Sequence, residues 1–320
     1  MQSKLTFAHL PTAVENLPRL SENLKGPDIL IKRDDQTGLA FGGNKTRKLE
    51  FLLSDAKAQG AETLITAGAV QSNHCRQTAA AAARNGFRCR LVLTGDRPSK
   101  PSGNNFLDIF LGAELIWAGA ADRELVLTKT FKEVKDAGGN PYLIPYGGSN
   151  AVGAMGYVYA MKELLEQIEA PDYIIFPSSS GGTQAGMMVG GRMFGYPGRI
   201  LGVSIEYPAD EVSKKVSHIA NETAQVLNLQ HSFTPQEILV NDNYLGGGYG
   251  IMGQPEVEAL KTFARSEGVL LDPVYTGRAA AGLLDLIRSG FFTANQRVLF
   301  WHTGGTPALF ADRYMDKLLH

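Results

Sequence analysis

The chain reads as an α/β protein built on parallel sheets, and three observations carry that reading. Short apolar segments alternate with helical patterns along the 320 residues, and strand–helix–strand alternation is the signature of a parallel sheet with crossover helices. Most of the strand-like segments are continuously apolar rather than alternating, as in strands covered on both faces. The composition, 44% hydrophobic and 20% charged, is that of a globular protein able to bury a sizeable core, and the length suits two domains of ordinary size or one large one.

In order, the expected strands are DILIKRDD (28–35), ETLITAG (62–68), CRLVLTG (89–95), AELIWAG (113–119), PYLIPYG (141–147), DYIIFPS (172–178), RILGVSIE (199–206) and RVLFWHTGG (297–305). Between them lie helical patterns. NHCRQTAAAAARNG is alanine-rich and stops at Gly86; AVGAMGYVYAMKELLEQIEA is longer; PEVEALKTFARSEG opens on Pro255 in its first turn and closes on a glycine. Two Pro/Gly-rich stretches are candidate joints, DRPSKPSGNN (96–105) and YGGSNAVGAMGY (146–157). The expected division is a large domain from residues 1–45 plus 156–320 and a smaller one from 46–155.

Charge and cysteine content exclude several classes. With 31 basic against 32 acidic residues the net charge is -1, which argues against nucleic acid as a partner. A small anion needs only a local cluster of cations. Two cysteines, Cys75 and Cys89, are too few for a disulfide framework and suit a reduced, cytoplasmic setting. No run of about 18 apolar residues is present, so no membrane span is expected, and the N-terminus lacks a signal-peptide core. No Cys/His cluster has zinc spacing. KRDD (32–35) reads as ion pairing at a strand end, His302 as a satisfied core histidine and Cys75 as a small buried residue.

Ligands of open parallel sheets collect at the carboxyl ends of the strands. Three strands here end in small, polar, glycine-rich turns: Gln71 to His74, Ser178 to Thr183, and Thr303 to Thr306. One such turn is commonly an ordinary helix cap. Three in one chain, with a basic cluster, point to a phosphorylated or carboxylated ligand held at helix N-termini. SSSGGTQAG lacks the Gly-Lys-Ser/Thr ending of a triphosphate loop and suits a single phosphate held by amides and hydroxyls. GYGIMG (248–253) fits a dinucleotide pattern but follows no clear strand.

The basic cluster is FGGNKTRKLEFLL, with Lys45, Arg47 and Lys48 at the start of an apolar helix. A lysine desolvated in a pocket loses affinity for its proton and becomes a nucleophile toward carbonyls. Such an amine, together with a phosphate cradle, is what an aldehyde cofactor requires. Leu49, Leu52, Leu53 and Ala56 define the apolar face, but periodicity alone leaves Lys45 and Lys48 both open. A helix beginning at Lys45 would set that residue nearer the centre of the face.

IKRDD…GGNKTRKLEFLL, AGAVQSNHCRQTAAAAA, SSSGGTQAGMMVG, EGVLLDPVYTGRAAAGL and HTGGTPALF occur in this order. Together they resemble the pyridoxal-phosphate family of 1-aminocyclopropane-1-carboxylate deaminase and D-cysteine desulfhydrase, nearly end to end. The resemblance implies the tryptophan-synthase-β-like fold (fold type II), with a smaller α/β domain inserted into a larger one, pyridoxal 5'-phosphate between them, an amino-acid substrate and a homodimer. It places the cofactor lysine at Lys48, in RKLE, and leaves Lys45 and Arg47 structural or ligand-steering roles. Ser72 then meets the substrate carboxylate, with Asn73 and His74 beside it, and has a part in proton transfer. Asn73 adjoins the cofactor's ring oxygen. Ser179, Ser180, Gly181, Gly182 and Thr183 cradle the phosphate, while Tyr275 and its partner Tyr249 stand near the substrate. Thr276 and Thr303 lie near the ring, where the deaminase pattern has an acid and a leucine. Two threonines match the desulfhydrases, so the expected reaction is β-elimination of hydrosulfide from D-cysteine. The rivals are ring-opening deamination, elimination of sulfite from L-cysteate, and a non-catalytic anion-binding module.

Overall fold

Two sheets organise the computed structural model, which describes residues 3–119 and 121–319. The larger holds β1 (Val14–Asn16), β2 (Asp28–Lys32), β7 (Tyr173–Ser178), β8 (Arg199–Ser204), β9 (Leu239–Asn241) and β10 (Arg297–Trp301), in the order β1-β2-β10-β7-β8-β9. Every neighbouring pair is parallel except β1 with β2. The smaller is fully parallel, β5-β4-β3-β6, from β3 (Thr63–Ala69), β4 (Arg88–Thr94), β5 (Glu114–Gly119) and β6 (Pro141–Leu143). The helices are α1 (Pro18–Leu24), α2 (Asn44–Ala58), α3 (Asn73–Asn85), α4 (Gly103–Phe110), α5 (Arg123–Asp136), α6 (Ala151–Gln167), α7 (Gly182–Phe194), α8 (Ala209–Val226), α9 (Gln254–Glu267), α10 (Thr276–Arg288) and α11 (Asp312–Leu319). No helix among the described residues is long and apolar enough to cross a membrane.

The continuous apolar runs are explained by what covers them. Side chains of α1, α9 and α10 pack on one face of the large sheet, and those of α6 and α7 on the other, with α8 outside them. The central strand β7 is buried at every residue, as a two-sided strand must be. On the small sheet, α2 and α3 cover one face and α5 the other. The alanines of α3 keep it thin enough to pack between α2 and the sheet, with Ala79 to Ala82 all buried.

Three expected strands run three or more residues too long at the same end, and the one expected at 199–206 runs two too long. β2 stops at Lys32, β6 at Leu143 and β10 at Trp301, and each is followed by a turn. The second expected joint is also half helix, because α6 starts at Ala151. Its Gly156 is a packing residue: a Cβ there would come within 2.6 Å of the Arg47 backbone on α2. KRDD forms ion pairs, Lys32 with Glu163, Arg33 with Asp35 and Glu15, and Asp34 with Arg47. His302 is satisfied in the core, with Nε2 at Leu270 O (3.1 Å) and Nδ1 accepting from the Gly304 N–H (3.2 Å).

Candidate active site

Carboxyl ends of strands from both sheets open onto one cleft. Its wall includes Lys45 from α2, Ser72, Asn73 and His74 after β3, Tyr146 and Gly147 after β6, Ser178 to Gly181 and Thr183 after β7, Tyr275 before α10 and Thr303 after β10. The α2 N-terminus is placed by a glycine pair with positive φ, Gly42 (62°) and Gly43 (125°), a conformation that side chains disfavour. The Gly43 N–H donates to Asp34 O (2.9 Å), the Asn44 N–H to Thr303 O (2.9 Å) and the Thr46 N–H to Gln77 Oε1 (2.9 Å). Donors left orphaned at a helix start here tie α2 to both sheets.

Lys45 and Lys48 converge on one acceptor. Lys45 Nζ donates to Gly147 O (3.1 Å), and Lys48 Nζ donates to the same oxygen (3.2 Å) and to Ser149 Oγ (3.3 Å). Lys45 is on the cleft wall; Lys48, to which the resemblance points, is not, and lies behind it at 1% exposure. Burial lowers the Lys45 amine to a pKa of about 8. Burial, then the charge of Lys45, holds Lys48 well below the ordinary lysine value. Ser149 continues inward: its Oγ lies 2.8 Å from Ser180 Oγ and accepts the Gly182 N–H (3.2 Å).

Two helices aim their N-termini at the cleft. At α7 the turn Ser179–Thr183 places hydroxyls beside amides, Gly181 takes φ 85°, and Asn44 Nδ2 donates to Thr183 Oγ1 (3.1 Å). At α3, Ser72 is the N-cap, its Oγ accepting the Cys75 N–H (3.2 Å). Uncapped first-turn N–H groups and the helix dipole favour an anion at each end. His74 Nε2 lies 2.9 Å from Thr66 Oγ1, whose proton goes to Ile144 O (2.8 Å). Nε2 is therefore the donor. Burial, then the charges of Lys45 and Lys48, keeps the ring neutral by lowering its pKa, and leaves Nδ1 a bare acceptor without a partner among the described residues.

Tyr275 and Tyr249 share a hydrogen bond (2.5 Å), and only Tyr275 reaches the wall. Burial pushes both phenols well above 10. Thr303 lines the cleft, whereas Thr276 is turned away. Thr276 Oγ1 donates to Asp272 Oδ1 (2.8 Å) and accepts the Asp272 N–H (2.7 Å). Asp272 also accepts the N–H groups of Val274, Tyr275 and Thr276, capping α10.

A family model described as pyridoxal-phosphate dependent enzyme matches residues 5–304. The chain belongs to the pyridoxal-phosphate-dependent enzyme family. This enzyme is 36% identical to a crystal structure of an ACC deaminase homologue, covering 99% of this chain and 95% of that one, with a TM-score of 0.91. It shares its fold with the processed form of threonine deaminase isoform 2 from Solanum lycopersicum (16% identity, 98% and 83% coverage, TM-score 0.70). Maize serine racemase has that fold too (19% identity, 96% and 92% coverage, TM-score 0.68).

The residues present suit pyridoxal 5'-phosphate. An amine with a lowered pKa and an amide-and-hydroxyl turn for a phosphate face the same cleft. At Gly147 a Cβ would collide with Ser180 Oγ and lie 3.3 Å from Lys45 Nζ, closing the space between them. Sequence reasoning missed Ser149 and Tyr146, because the glycine-rich stretch that holds them was read only as a candidate joint, although it leads straight into the Asn150 cap of α6. Periodicity left Lys45 and Lys48 both open, and the resemblance then chose Lys48; the helix begins at Asn44, one residue before Lys45.

Proposed function

We propose that this enzyme is a lyase that expels hydrosulfide from Cβ of D-cysteine, yielding pyruvate, hydrogen sulfide and ammonia with uptake of one water. The observation that carries the reading is the polar make-up of the cleft wall. Among the described residues no carboxylate lines it, Thr303 brings a hydroxyl to it, and its one cation is Lys45. The carboxylate of Asp272 is occupied in capping α10. A hydroxyl beside a pyridine nitrogen leaves it neutral and a mild electron sink, enough for a good leaving group and weak for opening a carbon ring. A sulfonate would need cationic partners beyond the lysine. The D hand rests on the resemblance, where Thr276 and Thr303 match the desulfhydrases.

When bound, pyridoxal phosphate supplies an aldehyde for the amine and a conjugated ring that withdraws electrons from Cα. The chain's residues do the rest. Lys45, rather than Lys48, is the covalent amine in this reading, because it is the one on the wall; once released it takes the Cα proton. Such general-base help is worth roughly 10²–10⁴-fold. The α3 amides around Ser72, Asn73 and His74 hold the substrate carboxylate. Tyr275 keeps its proton, so it is a donor to the departing sulfur rather than a base, and Tyr249 fixes its hydroxyl. The C–S bond breaks, sulfur leaves with its own proton, and the freed enamine hydrolyses.

A second reading, ring-opening deamination, is favoured by the likeness to the ACC deaminase homologue. Keto-acid and sulfide release from D-cysteine, L-cysteine, cysteate and 1-aminocyclopropane-1-carboxylate separates the two. D-Cysteine is expected to be turned over fastest with equal yields of sulfide and pyruvate. Faster keto-acid release from the cyclopropane substrate or from cysteate would overturn the proposal.

A further inference from the structure

Two buried residues outside the cleft wall fix the orientation of the Asn73 amide. Arg76 on α3 and Asn104 on α4 are both inaccessible to solvent. Arg76 Nε donates to Asn104 Oδ1 (3.1 Å), and Nη1 donates to the carbonyls of Ala40 and Gly42 in the turn that launches α2 (3.0 Å to Gly42). Asn104 Nδ2 donates to Asn73 Oδ1 (2.7 Å) and to Gln71 O (3.0 Å), and the Asn104 N–H donates to Gln71 Oε1 (2.9 Å).

Donor and acceptor logic makes this a directional chain. A guanidinium only donates, so Asn104 must turn its carbonyl oxygen to Arg76. Its NH2 then faces Asn73, and Asn73 must answer with its own oxygen. The amide nitrogen of Asn73 is left on the other side, where a Cβ built on Gly305 would lie 2.6 Å from Nδ2. An amide whose orientation is ambiguous in isolation is thus set by a cation two residues away in the network. We propose that Arg76 and Asn104 are positioning residues that hold Asn73 with its NH2, not its oxygen, toward the cleft, as a donor for an anionic oxygen of the bound cofactor. The same guanidinium grips the turn before Lys45, so the amide donor and the amine are set from one point. This rests on the reading of the cleft as the pyridoxal-phosphate site.

Asn104→Asp tests it. An aspartate still satisfies Arg76 but has no donor for Asn73. The variant is expected to unfold within a few degrees of wild type. Its bound cofactor should show a shifted visible band, and kcat/KM should fall about tenfold to a hundredfold, the worth of a hydrogen bond to a charged group. If Asn104→Asp does not fold, a pair at position 76 carries the test. Arg76→Lys remains a pure donor and should keep the native band, while Arg76→Gln can offer an oxygen, permit the flip and shift it. A native band and native kinetics in Asn104→Asp, or the same band in Arg76→Lys and Arg76→Gln, would overturn the inference. A wild-type protein that takes up no pyridoxal phosphate would instead sink the reading of the site.

Discussion

The proton affinity of Lys45 is where burial becomes chemistry. An ordinary lysine is almost fully charged at neutral pH, but burial brings this amine to about 8, so a usable free-base fraction exists near neutrality. Its effect on stability has a definite sign. The folded-state pKa lies below the unfolded value of 10.5, so between about 8 and 10.5 the unfolded chain binds more protons and stability rises with pH. Thermal midpoints of the cofactor-free protein should therefore climb over that window relative to Lys45→Met, in which the climb is diminished. Parallel profiles for the two proteins would refute the lowered pKa. At this scale the sequence told much about kinds of residue and less about partners. The serine, asparagine and glycine turns were recognisable from local pattern. Ser149 was not, because its tie to Ser180 spans 31 residues and is created only when β6 and β7 bring their ends together. Thr276 was expected near the ring but is turned to Asp272, a local cap that the DPVYTG pattern does not announce.

Elements are held around the cleft by a buried ionic network. Arg47 donates to both oxygens of Asp34 (2.8 and 2.9 Å) and to both of Glu163 (2.9 Å each), while Lys32 reaches Glu163 (2.6 Å) and Tyr157 reaches Asp34. It joins α2, the end of β2 and α6. Burial alone would raise the Asp34 carboxyl, but Arg47 and then Lys32 outweigh it and hold the group below its usual range. Arg47→Met strands Asp34 without its counter-charge and should cost about 3–5 kcal/mol of unfolding free energy, read from chemical denaturation; a loss below about 1 kcal/mol would contradict this role. The elements themselves were largely visible in the sequence, because buried parallel strands and long amphipathic helices leave strong patterns. β1 and β9, three half-exposed residues each at the sheet edges, left none. The overlong strand expectations at β2, β6 and β10 share one cause. Extended-looking sequence continues past the last paired residue, polar at β2 and β10 and apolar at β6, and the chain turns out of the sheet there to build the site.

At the scale of the whole molecule, neither sheet makes the cleft alone. The small sheet contributes the α3 N-terminus and the Tyr146–Gly147 turn, the large sheet the α7 turn and Thr303, and α2 supplies the amine between them. The rule that ligands gather at carboxyl ends of parallel strands anticipated the turns from sequence; which lysine they would face depended on how the two sheets meet. That question is open to one direct measurement. The protein loaded with pyridoxal phosphate is reduced with borohydride, which fixes the bond between amine and aldehyde, and then digested and mapped by mass spectrometry. The account predicts the cofactor on Lys45. An adduct on Lys48, on a surface lysine, or none at all would contradict it.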